Sequence, residues 1–415
     1  MINIKKLASN CETCVTKPCQ IGCPLDNDIP SFIKEIKNNN YEGAFNILKE
    51  TTILMPVCGR VCPHLRQCEG ACVKGVSHEH VEIGALESFI GDLWLVKQWK
   101  LKAPRKNNYK VAVIGAGPSG LTAAYFLRMN GIKVTIYEKH HYLGGLLYNG
   151  IPEFRLPKNI VKKVTNRIIK LGIKVKYNKE LGRNIELNKL KKEYDAIYIA
   201  VGANSSNKMN IPGENLKCVY GANELLESNK RLRYKGKTIL ISGGGNVSMD
   251  IARTVKRQGA KKAIIVYRRE ENKLTADPDE VLAAKKDGVT FLCSNTIIAI
   301  HGRRKVKTVE LVNTEYKIPE GETSPKVVNV PGSNYEMKAN YVIMAIGSHQ
   351  TKNIDDLPLE KNPQGRIKID GDGRTSDKKV FAGGDVAGTK GTVAWAAKAG
   401  RIAAKSIIEY LDGRK

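Results

Sequence analysis

The 415-residue sequence has no apolar run approaching the roughly 18 residues that span a bilayer, so no membrane partner is expected. Met1 to Asn10 lacks the apolar core of a secretory leader. A cytoplasmic location is therefore expected, and a secreted disulfide scaffold is not. Acidic residues are scarce, with 41 Asp+Glu against 68 Lys+Arg and a formal net charge of +27. Residues 1–107 carry 14 Lys+Arg against 11 Asp+Glu, a net of +3, so +24 of the net +27 lies beyond them. Such an excess suggests nucleic acid. No recognition motif accompanies it, and the lysines are scattered, so no nucleic-acid partner is expected. A solvated lysine surface, or a docking field for an acidic redox partner, accounts for the charge. Cysteine is nearly missing after residue 72, where Cys218 and Cys293 each stand alone. That excludes a dithiol relay beyond residue 72 and leaves these two as small hydrophobes.

What is present begins with Val111–Glu138, VAVIGAGPSGLTAAYFLRMNGIKVTIYE. Val111 to Ile114 reads as a buried strand, Leu121 to Met129 as a helix, and Lys133 to Tyr137 as a second strand. Gly115, Gly117 and Gly120 stand in G-x-G-x-x-G spacing around Pro118 and Ser119. Gly115 permits the turn, Gly117 lets a pyrophosphate approach the backbone, and Gly120 lets helix and strand pack closely. The helix N-terminus offers free N–H groups to the phosphates. Glu138 lies 23 residues after Gly115, where it can accept hydrogen bonds from a ribose diol. The stretch reads as an adenine-dinucleotide site, with a chance glycine-rich turn as the alternative. Gly145 and Leu146 follow in a loop, and Gly202 ends the apolar strand Ala196–Val201. All three are counted as cofactor-binding.

A second fingerprint follows the strand Thr238–Ile241. Gly243, Gly245 and Ser248 give G-x-G-x-x-S, with Asn246 and Val247 between them. The next strand, Ala263–Tyr267, ends on Arg268 and Arg269 instead of an acid. Guanidinium groups can fork onto a 2′-phosphate. That favours NADPH, with NADH possible, unless the arginines merely cap a solvated strand end. Strands are also expected over Val289–Leu292, Val306–Val312 and Tyr341–Ile346. Near the C-terminus, Gly384 and Asp385 end an AGGD motif, where a carboxylate can reach the ribityl hydroxyls of a flavin. Thr392 and Val393 then open a helix whose N–H groups can face the flavin ring. Gly347 is counted with this site.

Eight of the ten cysteines precede Val73, as Cys11, Cys14, Cys19, Cys23 and then Cys58, Cys62, Cys68, Cys72. Pro24 and Pro63 give the cysteine–proline ends of ferredoxin-type runs. Eight thiolates suit two four-iron clusters. Zinc is the alternative, although the spacings do not form tidy C-x2-C pairs. Apolar periodicity predicts two short helices within Ser31–Lys49, broken near Asn38–Asn40, and a third over Ile83–Lys97. Further on, Ile160–Leu171 reads as a helix and Ile173–Tyr177 as a strand.

These motifs together resemble the glutamate synthase small (beta) subunit family over nearly the full length. Its relatives include the electron-input half of dihydropyrimidine dehydrogenase and the large subunit of the bifurcating ferredoxin:NADP oxidoreductase. The resemblance is carried by C-x2-C-x4-C-x3-CP at Cys11–Pro24, CGRVCP at Cys58–Pro63 and IGALE at Ile83–Glu87. It is also carried by GIPEFRLP at Gly150–Pro157, SGGGNVSMD at Ser242–Asp250, VYRRE at Val266–Glu270 and AGGD at Ala382–Asp385. It implies two 4Fe–4S clusters between the flavin and a partner. Cys11, Cys14, Cys19 and Cys72 would hold one. Cys23, Cys62 and Cys68 would hold the other, with Glu87 as fourth ligand and Cys58 a spectator, whereas spacing alone selects Cys58. The compact ends are similar to stand-alone bacterial dihydropyrimidine dehydrogenase input subunits; the double arginine is more like the NADPH-using glutamate synthase branch.

The expected fold class is α/β: two Rossmann-like domains of glutathione-reductase type behind an α-helical two-cluster domain. The expected divisions are a cluster domain at 1–107, an FAD domain at 108–235 and 347–415, and an inserted NAD(P)H domain at 236–346. The expected activity is hydride transfer from NADPH to FAD, then single-electron transfer to a protein acceptor. That acceptor is glutamate synthase large-subunit-like, dihydropyrimidine dehydrogenase-like or ferredoxin-like. No side chain is required as acid, base or nucleophile, so no catalytic residue is named. A zinc-stapled nucleotide sensor without turnover is the alternative from another class.

Overall fold

The computed structural model describes residues 3–77, 80–97, 99–228, 232–318 and 324–413. The chain divides into two compact units, 1–148 with 153–203 and 350–415, and 149–152 with 204–349.

The first unit opens with helices. Helix α1 (Ile29–Lys37) is capped by Asp28, which accepts the Ser31 N–H at 3.4 Å. Helix α2 (Tyr41–Leu48) is capped by Asn40, which accepts the Gly43 N–H at 3.0 Å. The expected break at Asn38–Asn40 is thus a helix end meeting a helix start, with Asn39 left-handed at φ 59°. Helix α3 (Met55–Val61) packs on α4 (Ile83–Lys97), which has the predicted bounds. Trp94 of α4 is fully buried and stacks on Phe45 at 5.5 Å.

The flavin-type sheet follows. Strands β1 (Lys110–Ile114), β2 (Lys133–Tyr137), β3 (Lys174–Lys176) and β4 (Ala196–Ile199) are joined near the C-terminus by a fifth strand, Val380–Ala382. All pair in parallel, with the fifth strand beside β4, then β1, β2 and β3. Helix α5 (Pro118–Met129) starts with Pro118 in its first turn, three residues before the predicted start. The final helix, Val393–Asp412, packs along α5 and buries it against the sheet.

The second unit holds another five-stranded parallel sheet. Its strands are β5 (Val219–Gly221), β6 (Thr238–Ser242), β7 (Lys262–Tyr267), β8 (Thr290–Cys293) and Tyr341–Met344. Helix α6 (Asn246–Arg257) follows β6. The expected start of the insertion at 236 is too late. β5 is an edge strand of this sheet, parallel to Tyr341–Met344. Ser205–Ser206 also pairs with Ser348–His349, where the chain leaves and returns, so the expected end at 346 falls short. Strands of two or three residues are too short to show a period in sequence. The expected strand Val306–Val312 is Thr308–Lys317, which pairs antiparallel with Asn295–His301, Lys326–Asn329 and Tyr335–Lys338. No strand was expected over those three segments.

Candidate functional site

The first fingerprint has the geometry a pyrophosphate requires. Gly115 is at φ 99°, and a Cβ there would lie 2.4 Å from the Ala200 carbonyl oxygen. A Cβ on Gly120 would lie 1.9 Å from the Gly115 oxygen. At Gly117 the direction of a Cβ is open for 4 Å. Glu138, at the end of β2, is buried beside this loop. Its Oε2 accepts the Ala116 N–H at 2.8 Å and its Oε1 accepts the His140 N–H at 2.9 Å. Burial pushes this carboxyl up, and the two N–H bonds oppose it. Each oxygen keeps a lone pair for a ribose hydroxyl. Gly145 lies against Gly117, its Cβ direction meeting the Gly117 Cα at 3.0 Å, and Leu146 opens a short helix beside it.

Residues far apart in sequence meet here. A Cβ on Gly384 would come within 3.1 Å of the Ser119 side chain. Ser119 Oγ shares a 2.6 Å hydrogen bond with Tyr198 Oη, and both residues are buried. Asp385 accepts from Thr389 Oγ1 at 3.0 Å; burial raises its carboxyl. Thr392 caps the final helix by accepting the Trp395 N–H, and Val393 is its first residue. Gly202 follows β4 at φ 75°. Gly347 falls in the second unit, where its carbonyl accepts the Asn207 N–H at 3.0 Å.

The second fingerprint repeats the turn. Gly243 is at φ 137°, and Gly245 caps α6. Asn246 ties the loop to Asp277, whose N–H it accepts at 2.8 Å. Ser248 is fully buried and Val247 is 41% exposed. Arg268 is exposed and Arg269 half-buried at the end of β7. Arg269 Nε is buried without a hydrogen-bond partner among the described residues. A buried cationic donor of that kind suits an anionic oxygen.

The eight N-terminal cysteines lie in two groups. Cys11, Cys14, Cys19 and Cys72 line one cavity with Pro18, Ile33 and Val81. Burial, with the charges of Cys11 and Cys72 behind it, pushes the Cys19 thiol up to about 11. Cys23, Cys62, Cys68 and Glu87 form the second group. Burial and then Glu87 push the Cys23 thiol up to about 12. Burial, then Cys23 and Glu87, raises Cys68 well above its ordinary value. Glu87 is itself carried up to about 8 by burial, against the Asn27 hydrogen bond. Burial thus favours the neutral thiols here, and the thiolate forms are stable only beside a positive centre. Cys58 also lies here, hydrogen-bonded to Cys62 and to Thr52. Among the described residues no three His, Cys, Asp or Glu close in as the ligands of a single ion would.

Sequence reasoning missed the groups that join the cysteines to the flavin-type sheet. Ala394, in the first turn of the final helix, lies beside the Cys62 thiol. Arg401, two turns on, donates to the Thr51 carbonyl at 3.1 Å and to Asp26 Oδ2 at 3.2 Å. Lys398 pairs with the same carboxylate at 3.2 Å. Asn27 donates to Glu87 Oε1 at 3.4 Å. No motif marks these residues.

Comparison with known proteins agrees with this geometry. The pyridine nucleotide-disulphide oxidoreductase family matches residues 109–403. The dihydropyrimidine dehydrogenase domain II, 4Fe-4S cluster family matches residues 2–99, which sets the zinc reading aside. The chain is 34% identical to the glutamate synthase [NADPH] small chain of Escherichia coli K12, over 98% of this chain and 91% of that one. It is 33% identical to the NAD-dependent dihydropyrimidine dehydrogenase subunit PreT of E. coli O157:H7, over 98% and 94%. These relatives are named as a chain or subunit of larger enzymes. Among solved structures, FprA of Mycobacterium tuberculosis in complex with NADPH superposes with a TM-score of 0.63 at 21% identity. It covers 74% of this chain and 85% of that one, and it shows the shared fold. No described helix is long and apolar enough to cross a membrane. The chain belongs to the glutamate synthase small-chain family of NAD(P)H-dependent FAD oxidoreductases, with an N-terminal 4Fe–4S domain ahead of its pyridine nucleotide-disulphide oxidoreductase fold.

Proposed function

We propose that the protein is a cytoplasmic electron-input subunit that oxidises NADPH and delivers single electrons to a catalytic partner subunit. The observation that carries this reading is the Arg401 side chain of the final helix, which donates to the Thr51 carbonyl at 3.1 Å and to Asp26 at 3.2 Å. It joins the cysteine-bearing segment to the helix that follows Asp385, within one compact unit. When bound, the FAD supplies two-electron acceptance from a nicotinamide and single-electron release, and the clusters supply one-electron carriage.

The chain's own residues bind and orient. Gly115, Gly117 and Gly120 clear room for the FAD pyrophosphate, Glu138 accepts from the adenosine ribose, and Asp385 accepts from the ribityl chain. Gly243, Gly245 and Ser248 do the same for the nicotinamide dinucleotide. Arg268 and Arg269 favour the 2′-phosphate, which supports NADPH over NADH. Cys11, Cys14, Cys19 and Cys72 hold the first cluster; Cys23, Cys62, Cys68 and Glu87 hold the second. Glu87 is preferred to Cys58 because its carboxylate is 5% exposed and meets the neutral Asn27 amide at 3.4 Å, and a buried carboxylate suits a cationic centre. The lone Cys218 and Cys293 leave the clusters as the exit. A dihydropyrimidine dehydrogenase-type partner is the second reading, favoured by the similarity to PreT.

Protein purified without oxygen should carry about eight irons, as two four-iron clusters require, and one FAD. Cys62→Ala should leave NADPH-driven bleaching of the flavin intact while electron delivery to the copurifying partner falls to background. Zinc without acid-labile sulfide, or undiminished delivery from the Cys62 variant, would refute the exit route.

A further inference from the structure

The final helix and Glu87 are joined by a chain of hydrogen bonds. Arg401 donates to the main-chain oxygen of Thr51 at 3.1 Å. The Thr51 hydroxyl donates to Asn27 Oδ1 at 2.6 Å. Asn27 Nδ2 donates to Glu87 Oε1 at 3.4 Å. Asn27 is 2% exposed and Glu87 is 5% exposed, so water does not substitute readily for any link at the Glu87 end.

The polarity of this chain is fixed by its ends. A carboxylate only accepts, so Asn27 must turn its amide N–H₂ toward Glu87. Its carbonyl then faces Thr51, whose O–H donates to it at 2.6 Å in preference to the Leu48 carbonyl at 3.2 Å. The Asn27 amide therefore has one usable orientation, and through Oε1 it sets the orientation of the Glu87 carboxylate.

We propose that Asn27, oriented by Thr51, is a positioning residue that holds the Glu87 carboxylate in place for the second cluster. The inference rests on Glu87 being a ligand of that cluster. It assigns Arg401 a part as well. By holding the Thr51 segment to the final helix, Arg401 ties the ligand's orientation to the flavin-type sheet. Partners of metal ligands outside the coordination shell commonly change metal affinity about 10–100-fold when removed.

The test uses the full-length holoprotein, prepared without oxygen and reduced stepwise. Three readouts are followed: the EPR line shape of each cluster, the second cluster's midpoint potential, and the rate of iron loss to a chelator. Asn27→Leu and Thr51→Val should each alter the line shape and potential of the second cluster and speed its iron loss about 10–100-fold. The first cluster's signal and the FAD stoichiometry should stay unchanged. Thr51→Ser keeps the hydroxyl and should restore wild-type behaviour, which a purely packing role for Thr51 would not require. Glu87→Ala separates the two ideas. If Glu87→Ala leaves the second cluster's spectrum unchanged, Glu87 is not a ligand, and the reading beneath the proposal fails first. If Glu87→Ala changes it but Asn27→Leu and Thr51→Val do not, the ligand stands and the positioning role is overturned. Thr51 is only partly buried, so its variants decide the matter even if Asn27→Leu fails to fold.

Discussion

The molecule builds the same strand–turn–helix twice, and the two copies are sheltered differently. In the first, α5 is buried on nearly every side, from Ser119 to Arg128, because the final helix lies along it. Its third glycine position is Gly120, with no room for a side chain. In the second, α6 is amphipathic and keeps a solvated face, and Ser248 takes the third position. The ends of the second strands differ too. Glu138 is buried and held by two backbone N–H groups. Arg268 is exposed and Arg269 half-buried, with its Nε buried. The first copy suits a cofactor that stays; the second suits one that arrives and leaves.

The largest effect should come from testing the crowding of that third position. Gly120→Val puts atoms within about 2 Å of the Gly115 oxygen. Overpacking of this kind costs about 1–3 kcal/mol, more where backbone is struck. We expect protein that has lost FAD and unfolds at lower temperature. The matching change in the second copy, Ser248→Ala, removes a buried hydroxyl that has no hydrogen-bond partner among the described residues. It should leave Tm within a few degrees of wild type. Comparable losses from both changes, read by flavin stoichiometry and thermal unfolding, would mean that the two copies are not sheltered differently.

The next effect concerns the strand ends. Arg268→Ala with Arg269→Ala should raise KM for NADPH about ten- to a hundredfold, the worth of about 1.5–3 kcal/mol of charge-assisted hydrogen bonding. KM for NADH should change little. Initial-rate kinetics with both nucleotides and an artificial acceptor measure this directly. An equal rise for both would show that the arginines serve the fold or the shared part of the dinucleotide.

Much of this was legible because the sequence signals are local. Lys133–Tyr137 and Ile83–Lys97 have the predicted bounds, each carrying its own period or burial run. The glycine spacings are set by backbone approach within six residues. What stayed hidden acts across the chain. Asn27 and Glu87 are 60 residues apart, and Thr51 and Arg401 are 350 apart. An asparagine or an arginine has no spacing rule to a partner at that distance. The edge strand β5 was hidden for another reason. Its three residues form a strand only because Tyr341–Met344 lies beside them.

The smallest effect tests what holds the solvated copy. Arg253 and Arg257 of α6 both reach Asp287 Oδ2 at 3.0 Å, and Arg253 also pairs with Glu280. The Arg257 hydrogen bond first, and Arg253 with it, holds the Asp287 carboxyl below its usual range against a modest burial penalty. A carboxyl with a depressed folded value stabilises the fold above its unfolded pKa, about 3.9. The contribution is lost as pH falls through the lower, folded value. Asp287→Asn should therefore destabilise the protein by about 1 kcal/mol at pH 7, the upper range for partly exposed pairs. The difference from wild type should shrink as pH falls through the depressed folded value, as the wild-type carboxyl itself becomes protonated. α5 has no such network: among the described residues Arg128 donates to the carbonyls of Leu171 and Pro104. Denaturant unfolding of wild type and Asp287→Asn at several pH values reads the difference. A gap that stays constant down to acid would place the role of Asp287 in packing, and the second copy would then be held as the first is.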